Sequence, residues 1–229
     1  MPERMLIPSV EKRLTNFMEL TRKAEKEVID HEKKKLTITI SREFGCQGYP
    51  TAEKLKTILE EKTDEQWMIM DKALLDEVAK TYHLIESVLA RLGEKSRVVE
   101  DVISTFSSNW QTEHEYYRLL CKQIIALAVA GNVIIVGRGS AILTQSFDNC
   151  YHFRLFASLK FKMEYIARHT GLSVSETETF IRKKQHQRDA FVRDFLNCDS
   201  KELRPYHLVF NNDKNSSERI AGIIADYVL

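Results

Sequence analysis

The 229-residue sequence has few cysteines, no excess of either charge and no long apolar run. Its four cysteines stand far apart without a Cys-x-x-Cys pair, a pattern typical of a reduced, cytoplasmic protein rather than a disulfide scaffold. Lys and Arg number 34 and Asp and Glu 33, so no basic field indicates a nucleic-acid partner. The first residues are polar, and we therefore expect no secretory signal.

The longest apolar segment, residues 124–136, is interrupted by Gly131 and Asn132. It is too short to cross a bilayer and predicts the end of a helix followed by a strand, so no membrane partner is expected. Hydrophobic residues make up 43% of the chain and charged residues 29%, which is typical of a globular domain of ordinary size.

Five short segments that are apolar or alternate between apolar and polar residues predict strands. The predicted strands are residues 36–40, 67–71, 132–139, 151–157 and 206–212. The segments after them have helical spacing: 51–62, 71–92, 115–130, two helices within 159–195, and 216–229. This alternation predicts an α/β fold, a five-stranded parallel sheet with helices on both faces. Ligands of such sheets bind at the carboxyl ends of the strands.

Residues 9–34 are highly charged, contain no Gly or Pro, and repeat apolar side chains at a rough helical spacing. They predict an amphipathic helix in an N-terminal extension, residues 1–35, ahead of the main domain, residues 36–229. Two roles remain open for this helix. It packs across the outside of the domain, or it forms the dimerisation arm of a homodimer.

The segment Gly45-Cys46-Gln47-Gly48 joins the first predicted strand to the helix that follows it. Glycines let backbone N–H groups converge on one point, and a helix N-terminus adds partial positive charge, so this arrangement can bind an anion. On its own it is a weak signal, since a turn of this kind also serves simple chain reversal.

Four motifs follow one another along the chain, each at or near the end of a predicted element. They are ISREFGCQG (40–48), MDKALLDEVA (70–79), VIIVGRGSAIL (133–143) and QRDAFVRDF (187–195). In this order, over residues 36–229, they resemble the cytidylate kinase-like family of P-loop nucleoside monophosphate kinases. The resemblance implies a three-layer P-loop kinase fold. It also implies transfer of the terminal phosphoryl group of ATP to a nucleoside monophosphate, with Mg²⁺.

The resemblance also implies roles for particular residues. The ATP phosphates would contact the first loop, at Arg42, Gly45, Cys46, Gln47, Gly48, Tyr49 and Thr51, and Thr51 would also be the magnesium ligand. The acceptor would contact Asp71, Lys72, Arg138 and Gln185, and residues 80–115 would form its binding region. A mobile lid, residues 180–195, would supply the catalytic cations Arg182, Lys184, Arg188 and Arg193. Such cations neutralise charge on the transferring group.

Three of these positions have ordinary structural alternatives. Asp71 can cap the helix that follows it, because its carboxylate can accept from an amide of the first turn. Arg138 can form an ion pair instead of binding a phosphate. The charged lid residues can simply cover a solvated helix face.

The chain departs from the family pattern at three points. Tyr49 occupies the place of the P-loop lysine, where this family often has arginine, and Pro50 follows where a Ser or Thr would hold the metal. Gln185 replaces the aspartate of an Asp-x-x-Arg pair, which leaves the base preference open. Arg42 or a lid arginine would have to replace the missing cation. The sequence thus leaves open an active kinase, an inactive nucleotide-binding protein, and an interaction protein that acts through its N-terminal helix.

Overall fold

The computed structural model describes residues 9–24, 35–80 and 115–229. Five parallel strands form one sheet in the order β2-β3-β1-β4-β5. The strands are β1 Thr37–Arg42, β2 Met68–Asp71, β3 Val133–Val136, β4 Cys150–Phe156 and β5 Leu208–Asn211. The α/β fold and the five-stranded parallel sheet expected from the sequence are confirmed.

Helices connect the strands and cover both faces of the sheet. They are α1 Val10–Ala24, α2 Gly48–Thr63, α3 Lys72–Lys80, α4 Glu115–Ala130, α5 Ser140–Leu143, α6 Leu159–Thr170, α7 Val174–Leu196 and α8 Ser217–Val228. One apolar core lies between the sheet and helices α2 and α8. A second core lies on the opposite face, against α1, α3, α4, α5 and the C-terminal part of α7.

Local sequence signals account for several helix ends. Gly131 adopts a positive φ of 76°, and its amide bonds to the Leu127 carbonyl at the end of α4. Ser173 and Glu176 form the capping box that begins α7, as their spacing predicts. Gly171 ends α6 in the left-handed conformation, which confirms the break between two helices in residues 159–195.

The N-terminal helix packs against the domain within its described part. Phe17 is 3% exposed and belongs to the core that includes Leu74 of α3. Burying this ring contributes to stability, which favours the first of the two roles considered for the helix. The predicted helix covers residues 9–34, and its portion at 25–34 lies outside the described residues, so dimerisation through this helix stays a prediction.

Most of the predicted acceptor-binding region, residues 80–115, also lies outside the described part of the chain. The same holds for the end of the helix predicted at 71–92, of which α3 is the described portion. In the segments 9–24, 35–80 and 115–229, none of the helices combines the length and apolar character that a membrane span requires.

Candidate phosphate-binding site

A short loop connects the carboxyl end of β1 to the first turn of α2. Gly45 lies in this loop with a φ of 94°, a conformation that side chains other than glycine rarely adopt. A Cβ atom at this position would also lie 2.7 Å from the Cβ of Lys162 in α6. The loop therefore requires glycine at this point for two independent reasons, and it leads directly into a helix N-terminus.

Side chains from distant elements bond to two amides of this loop. The Phe44 amide donates to Oε1 of Gln185 in α7, at 2.8 Å, and the Gln47 amide donates to Oδ1 of Asn212, also at 2.8 Å. Ser217 Oγ donates to Oε1 of Gln47 at 2.8 Å. The loop is thus tied on one side to α7 and on the other to the chain after β5.

Arg42, the last residue of β1, extends between the loop and the turn after β3. A Cβ atom on Gly48 would lie 3.0 Å from both Cγ and Cδ of Arg42. A Cβ atom on Gly137 would overlap Nη1 of the same guanidinium. Because both positions are glycine, no Cβ atom blocks the space that the Arg42 side chain occupies.

The turn after β3 holds an arginine in an uncommon backbone conformation. Gly137, Arg138 and Gly139 have φ values of 84°, 57° and 69°. A non-glycine residue at positive φ is uncommon and often occurs where function constrains the backbone. The Arg138 guanidinium forms an ion pair with Asp76 of α3, and its Cζ lies 4.9 Å from the ring centroid of Phe191.

Arg42, the turn after β3 and helix α7 line a cavity of about 160 Å³ at the carboxyl ends of the strands. Among the described residues its lining contains one acidic side chain, Asp189, and six basic ones. The basic side chains are Arg42, Lys72, Arg138, Arg154, Lys184 and Arg188. Even with Arg138 paired to Asp76, the cations outnumber the carboxylates here and create a local field that favours anions, although the net charge of the whole chain is only +1.

Helix α7 brings only part of the predicted lid residues to this cavity. Lys184, Gln185 and Arg188 line it, and Arg188 Nη1 donates to the Arg42 carbonyl at 3.3 Å. The other two residues, Arg182 and Arg193, have side chains 69% and 63% exposed. They form ion pairs with Glu178 and Asp194 on their own helix, at 2.6 and 2.8 Å. Their catalytic assignment stays a prediction.

Gln185 is engaged by the protein itself. Its Oε1 accepts from the Phe44 amide, and its Nε2 donates to Oδ1 of Asp189 at 2.8 Å. Both ends of the side-chain amide are therefore occupied by protein groups in this arrangement, and its assignment as a base contact stays a prediction. The bond from the Phe44 amide joins α7 to the loop after β1, and the bond to Asp189 stays within α7.

Tyr49 lies in the first turn of α2, and its side chain faces α1. Its side chain is buried, and the Cζ of Arg13 from α1 lies 5.4 Å from the centroid of its ring. Burial raises the pKa of the Tyr49 hydroxyl to about 12, with Arg13 acting in the opposite direction, so the phenol is neutral at physiological pH. Tyr49 thus contacts the N-terminal helix and does not line the basic cavity, and its equivalence with the P-loop lysine stays a prediction.

Asp71 and Lys72 lie at the junction of β2 and α3. The Asp71 carboxylate is 2% exposed, accepts from the Leu74 amide at 3.0 Å, and forms an ion pair with Arg13 at 2.7 Å. It therefore caps α3, the ordinary alternative that the sequence offered. Lys72 is exposed and lines the basic cavity.

The hydroxyl of Thr51 is directed into its own helix. Thr51 is fully buried, and its Oγ1 donates to the Gln47 carbonyl at 2.7 Å. Within the described residues no group of three or more His, Cys, Asp or Glu side chains is arranged to hold a metal. The oxygen of this hydroxyl keeps its lone pairs, but the residue is fully buried and does not line the basic cavity, so its assignment as the magnesium ligand stays a prediction.

Cys46 is another loop residue that the family resemblance assigns to ATP binding. It is 9% exposed, and burial, with the nearby Glu43 carboxylate, raises the pKa of its thiol to about 12. The thiol is therefore protonated and unreactive at physiological pH. Its contribution to the loop is that of a small buried side chain.

Three residues of this region were not anticipated from the sequence. Arg154 of β4 lines the cavity, and its Nη1 bonds to the Ser200 carbonyl at 2.5 Å. An arginine inside the otherwise apolar strand YHFRLFA was an available signal, because a charge inside a buried strand needs a partner. Asn212 and Arg13 gave no such signal, since each meets the loop region only through the folding of distant segments.

Comparison with known proteins agrees with this fold and motif order. Residues 37–214 match the model of the cytidylate kinase-like family. No curated protein matches the chain. A solved structure, an uncharacterized protein from Eubacterium ventriosum ATCC 27560, is 21% identical with a TM-score of 0.65. The similarity covers 86% of this chain and 98% of that one, and at this identity it supports the fold alone. The family match spans most of the sequence, and the chain therefore belongs to the cytidylate kinase-like family.

Proposed function

We propose that the protein transfers the terminal phosphoryl group of ATP to a nucleoside monophosphate or a similar small phosphorylated acceptor. The observation that carries this proposal is the cavity with six basic side chains at the strand ends, beside the glycine loop. Phosphoryl transfer requires positioned positive charge around the transferring group and little covalent chemistry from the protein. A basic cavity next to a helix N-terminus supplies that charge.

Arg42 takes the role of the missing P-loop cation in this proposal. Its side chain passes Gly48 of the loop and reaches Gly137 of the turn after β3. A guanidinium in this position faces both a phosphate on the loop and a phosphate on the turn, and can bind oxygen atoms of either in a bidentate manner. The close approach to two glycines holds Arg42 in place before any ligand arrives.

Arg138 binds the phosphate of the acceptor. In the described structure its guanidinium is paired with Asp76, and both side chains are partly shielded from water. An acceptor phosphate carries more charge than a carboxylate and offers several oxygen atoms, so it competes for the same guanidinium. Lys72 lines the same cavity and adds a second, more mobile cation.

Helix α7 adds charge from the opposite side of the cavity. Arg188 and Lys184 line it, and the Gln185 bond to the Phe44 amide fixes the helix to the loop. Motion of α7 that breaks this bond would free the Phe44 amide for a phosphate oxygen. Closure of a cation-bearing helix over bound substrates also excludes water from the transfer.

Magnesium enters this proposal with the nucleotide. The Thr51 side chain is fully buried and does not line the basic cavity, so this proposal does not depend on it as a ligand. Mg²⁺ commonly binds nucleotide phosphates and keeps several water molecules, which requires few protein ligands. The role of the chain is therefore to bind and orient the phosphates through arginine and lysine.

The test is ADP release from ATP and Mg²⁺ with a panel of nucleoside monophosphates, nucleosides and small phosphorylated metabolites. We expect turnover with at least one acceptor, and loss of that turnover in an Arg42→Met variant that keeps the wild-type melting temperature. Absence of turnover with every acceptor, from protein shown to be folded, would contradict the proposal.

A second candidate function is nucleotide binding without catalysis. It is favoured by the two loop amides, those of Phe44 and Gln47, that already donate to side chains of the protein. A loop whose donors are occupied binds phosphate only after those bonds break. ATP binding in calorimetry without turnover in the acceptor panel would select this alternative.

A further inference from the structure

Arg13 of α1 contacts two elements that border the phosphate site. Its Nη1 lies 2.7 Å from Oδ1 of Asp71, at the end of β2, and its Cζ lies 5.4 Å from the ring centroid of Tyr49, in the first turn of α2. The Arg13 side chain is 11% exposed and that of Asp71 2%. Water therefore screens this ion pair only weakly.

We propose that Arg13 is a positioning residue for the phosphate loop, and that Tyr49 serves as its anchor instead of as a degenerate phosphate ligand. The inference rests on the proposed function, since it concerns the same loop. On this view α1 is a structural component of the site, and position 49 has exchanged a phosphate contact for a contact that orders the loop.

The contacts explain how one side chain orders both borders of the site. Tyr49 is the second residue of α2 and follows the loop directly, so a fixed ring limits the motion of the loop backbone. Asp71 accepts from both Arg13 and the Leu74 amide, and Lys72, which lines the basic cavity, is the next residue. Removing Arg13 leaves the Asp71 carboxylate buried without its cation, which is more disruptive than removing both charges.

The test compares Arg13→Met with the double variant Arg13→Met/Asp71→Asn, in the full chain without ligand. An asparagine side chain can still cap α3 in the double variant, which also buries no unpaired charge. Lys12→Met is the matched control, since Lys12 is the exposed neighbour of Arg13 on the same helix. The readouts are melting temperature and hydrogen exchange of a peptide covering residues 43–50.

We expect Arg13→Met to lower the melting temperature and the double variant to regain most of it. In both, the loop peptide should exchange roughly tenfold faster than in wild type, the change expected from one lost charged contact. Lys12→Met should leave the exchange unchanged. Exchange that returns to the wild-type rate together with the melting temperature would overturn the proposal, because Arg13 would then have only a general structural role.

Two further measurements complete the design. If the Arg13 variants do not fold, Tyr49→Leu removes the ring and keeps the ion pair, and an unchanged loop exchange in that variant would equally overturn the proposal. Titration of each variant with ATP and Mg²⁺ should show about tenfold weaker binding in both Arg13 variants. Wild type that binds no ATP would contradict the proposed function, whereas the exchange data would still decide the role of Arg13.

Discussion

Two cavities of the molecule have different chemistry. The first is the cavity of about 160 Å³ at the carboxyl ends of the strands, whose described lining has six basic side chains and one acidic. The second is a cavity of about 500 Å³ between α1, α2 and β2, whose described lining includes Glu19, Glu53, Glu60, Arg13 and Lys56. The smaller cavity has an excess of positive charge, and the larger one has none.

This difference in charge, more than the difference in volume, is the reason for proposing the smaller cavity as the phosphate site. In the larger cavity Lys56 pairs with Glu60 at 2.6 Å, and Arg13 pairs with Asp71. Burial raises the pKa of the Glu53 carboxyl, which is the response of an acid that lacks full solvation. The larger cavity is thus a junction between helices. The smaller cavity is where the surrounding charge favours the binding of an anion most.

The largest expected effect comes from Arg42, on the basic side. Arg42→Met should lower kcat about 100- to 1,000-fold, the loss typical of removing one group that stabilises transition-state charge. Arg219→Met is the control, because Arg219 is exposed on α8. Steady-state kinetics with the best acceptor measures the effect. A loss below about tenfold would mean that another cation stabilises the transferring group.

Substitutions of two lid arginines, which the sequence analysis assigned the same role, should differ in their effect on catalysis. Arg188 lines the basic cavity, whereas Arg182 pairs with Glu178 on an exposed helix face. We expect Arg188→Ala to lower kcat/KM about tenfold more than Arg182→Ala does, since exposed pairs contribute little. Equal losses in the two variants would mean that α7 rotates or closes far enough to bring Arg182 to the substrate.

Placing a lysine at position 49 should not create a conventional P-loop. In Tyr49→Lys the new ammonium lies beside Arg13, and the buried ring is lost, so the free energy of unfolding should fall by about 1–3 kcal/mol. Tyr49→Phe keeps the ring and should lose only about 1 kcal/mol with the hydroxyl. Urea unfolding measures the stability of both variants, and steady-state kinetics measures their kcat. A rise in kcat for Tyr49→Lys would show that the position still serves the phosphates.

The smallest effect should come from Thr51. Its hydroxyl bonds to the Gln47 carbonyl, which also accepts the Thr51 amide, so Thr51→Val should cost about 1 kcal/mol or less of stability. The Mg²⁺ concentration that gives half-maximal rate should stay within about twofold of wild type. A tenfold higher requirement would instead support the sequence assignment of Thr51 as a metal ligand.

The fold and part of the site were accessible from sequence because local patterns specify them. Five strand segments alternate with helical segments, and the carboxyl ends of parallel strands meet at one edge. Residues directly after strands, such as Lys72 and Arg138, line the basic cavity together with Arg42, and their assignment to the acceptor stays a prediction. Arg154 was missed, although a charge inside a buried strand was a usable signal.

Sequence reasoning was weaker where a helix face decides the outcome. Helix α7 carries several cations within residues 182–193, and adjacent positions on a helix point in different directions. Lys184 and Arg188, four residues apart, share the face that lines the cavity. Arg182 and Arg193 are largely exposed, which required the packing of α7 against the loop to be known.

The sequence by itself determined the α/β architecture through the periodicity of its segments, and it carried the resemblance to the family in the order of its four motifs. Only the tertiary structure decided which side of the loop helix each charge occupies. Arg13 and Tyr49 are 36 positions apart, and Arg42 and Gly137 meet across two strands. Such contacts depend on burial and on the docking of whole helices, so no local pattern predicts them.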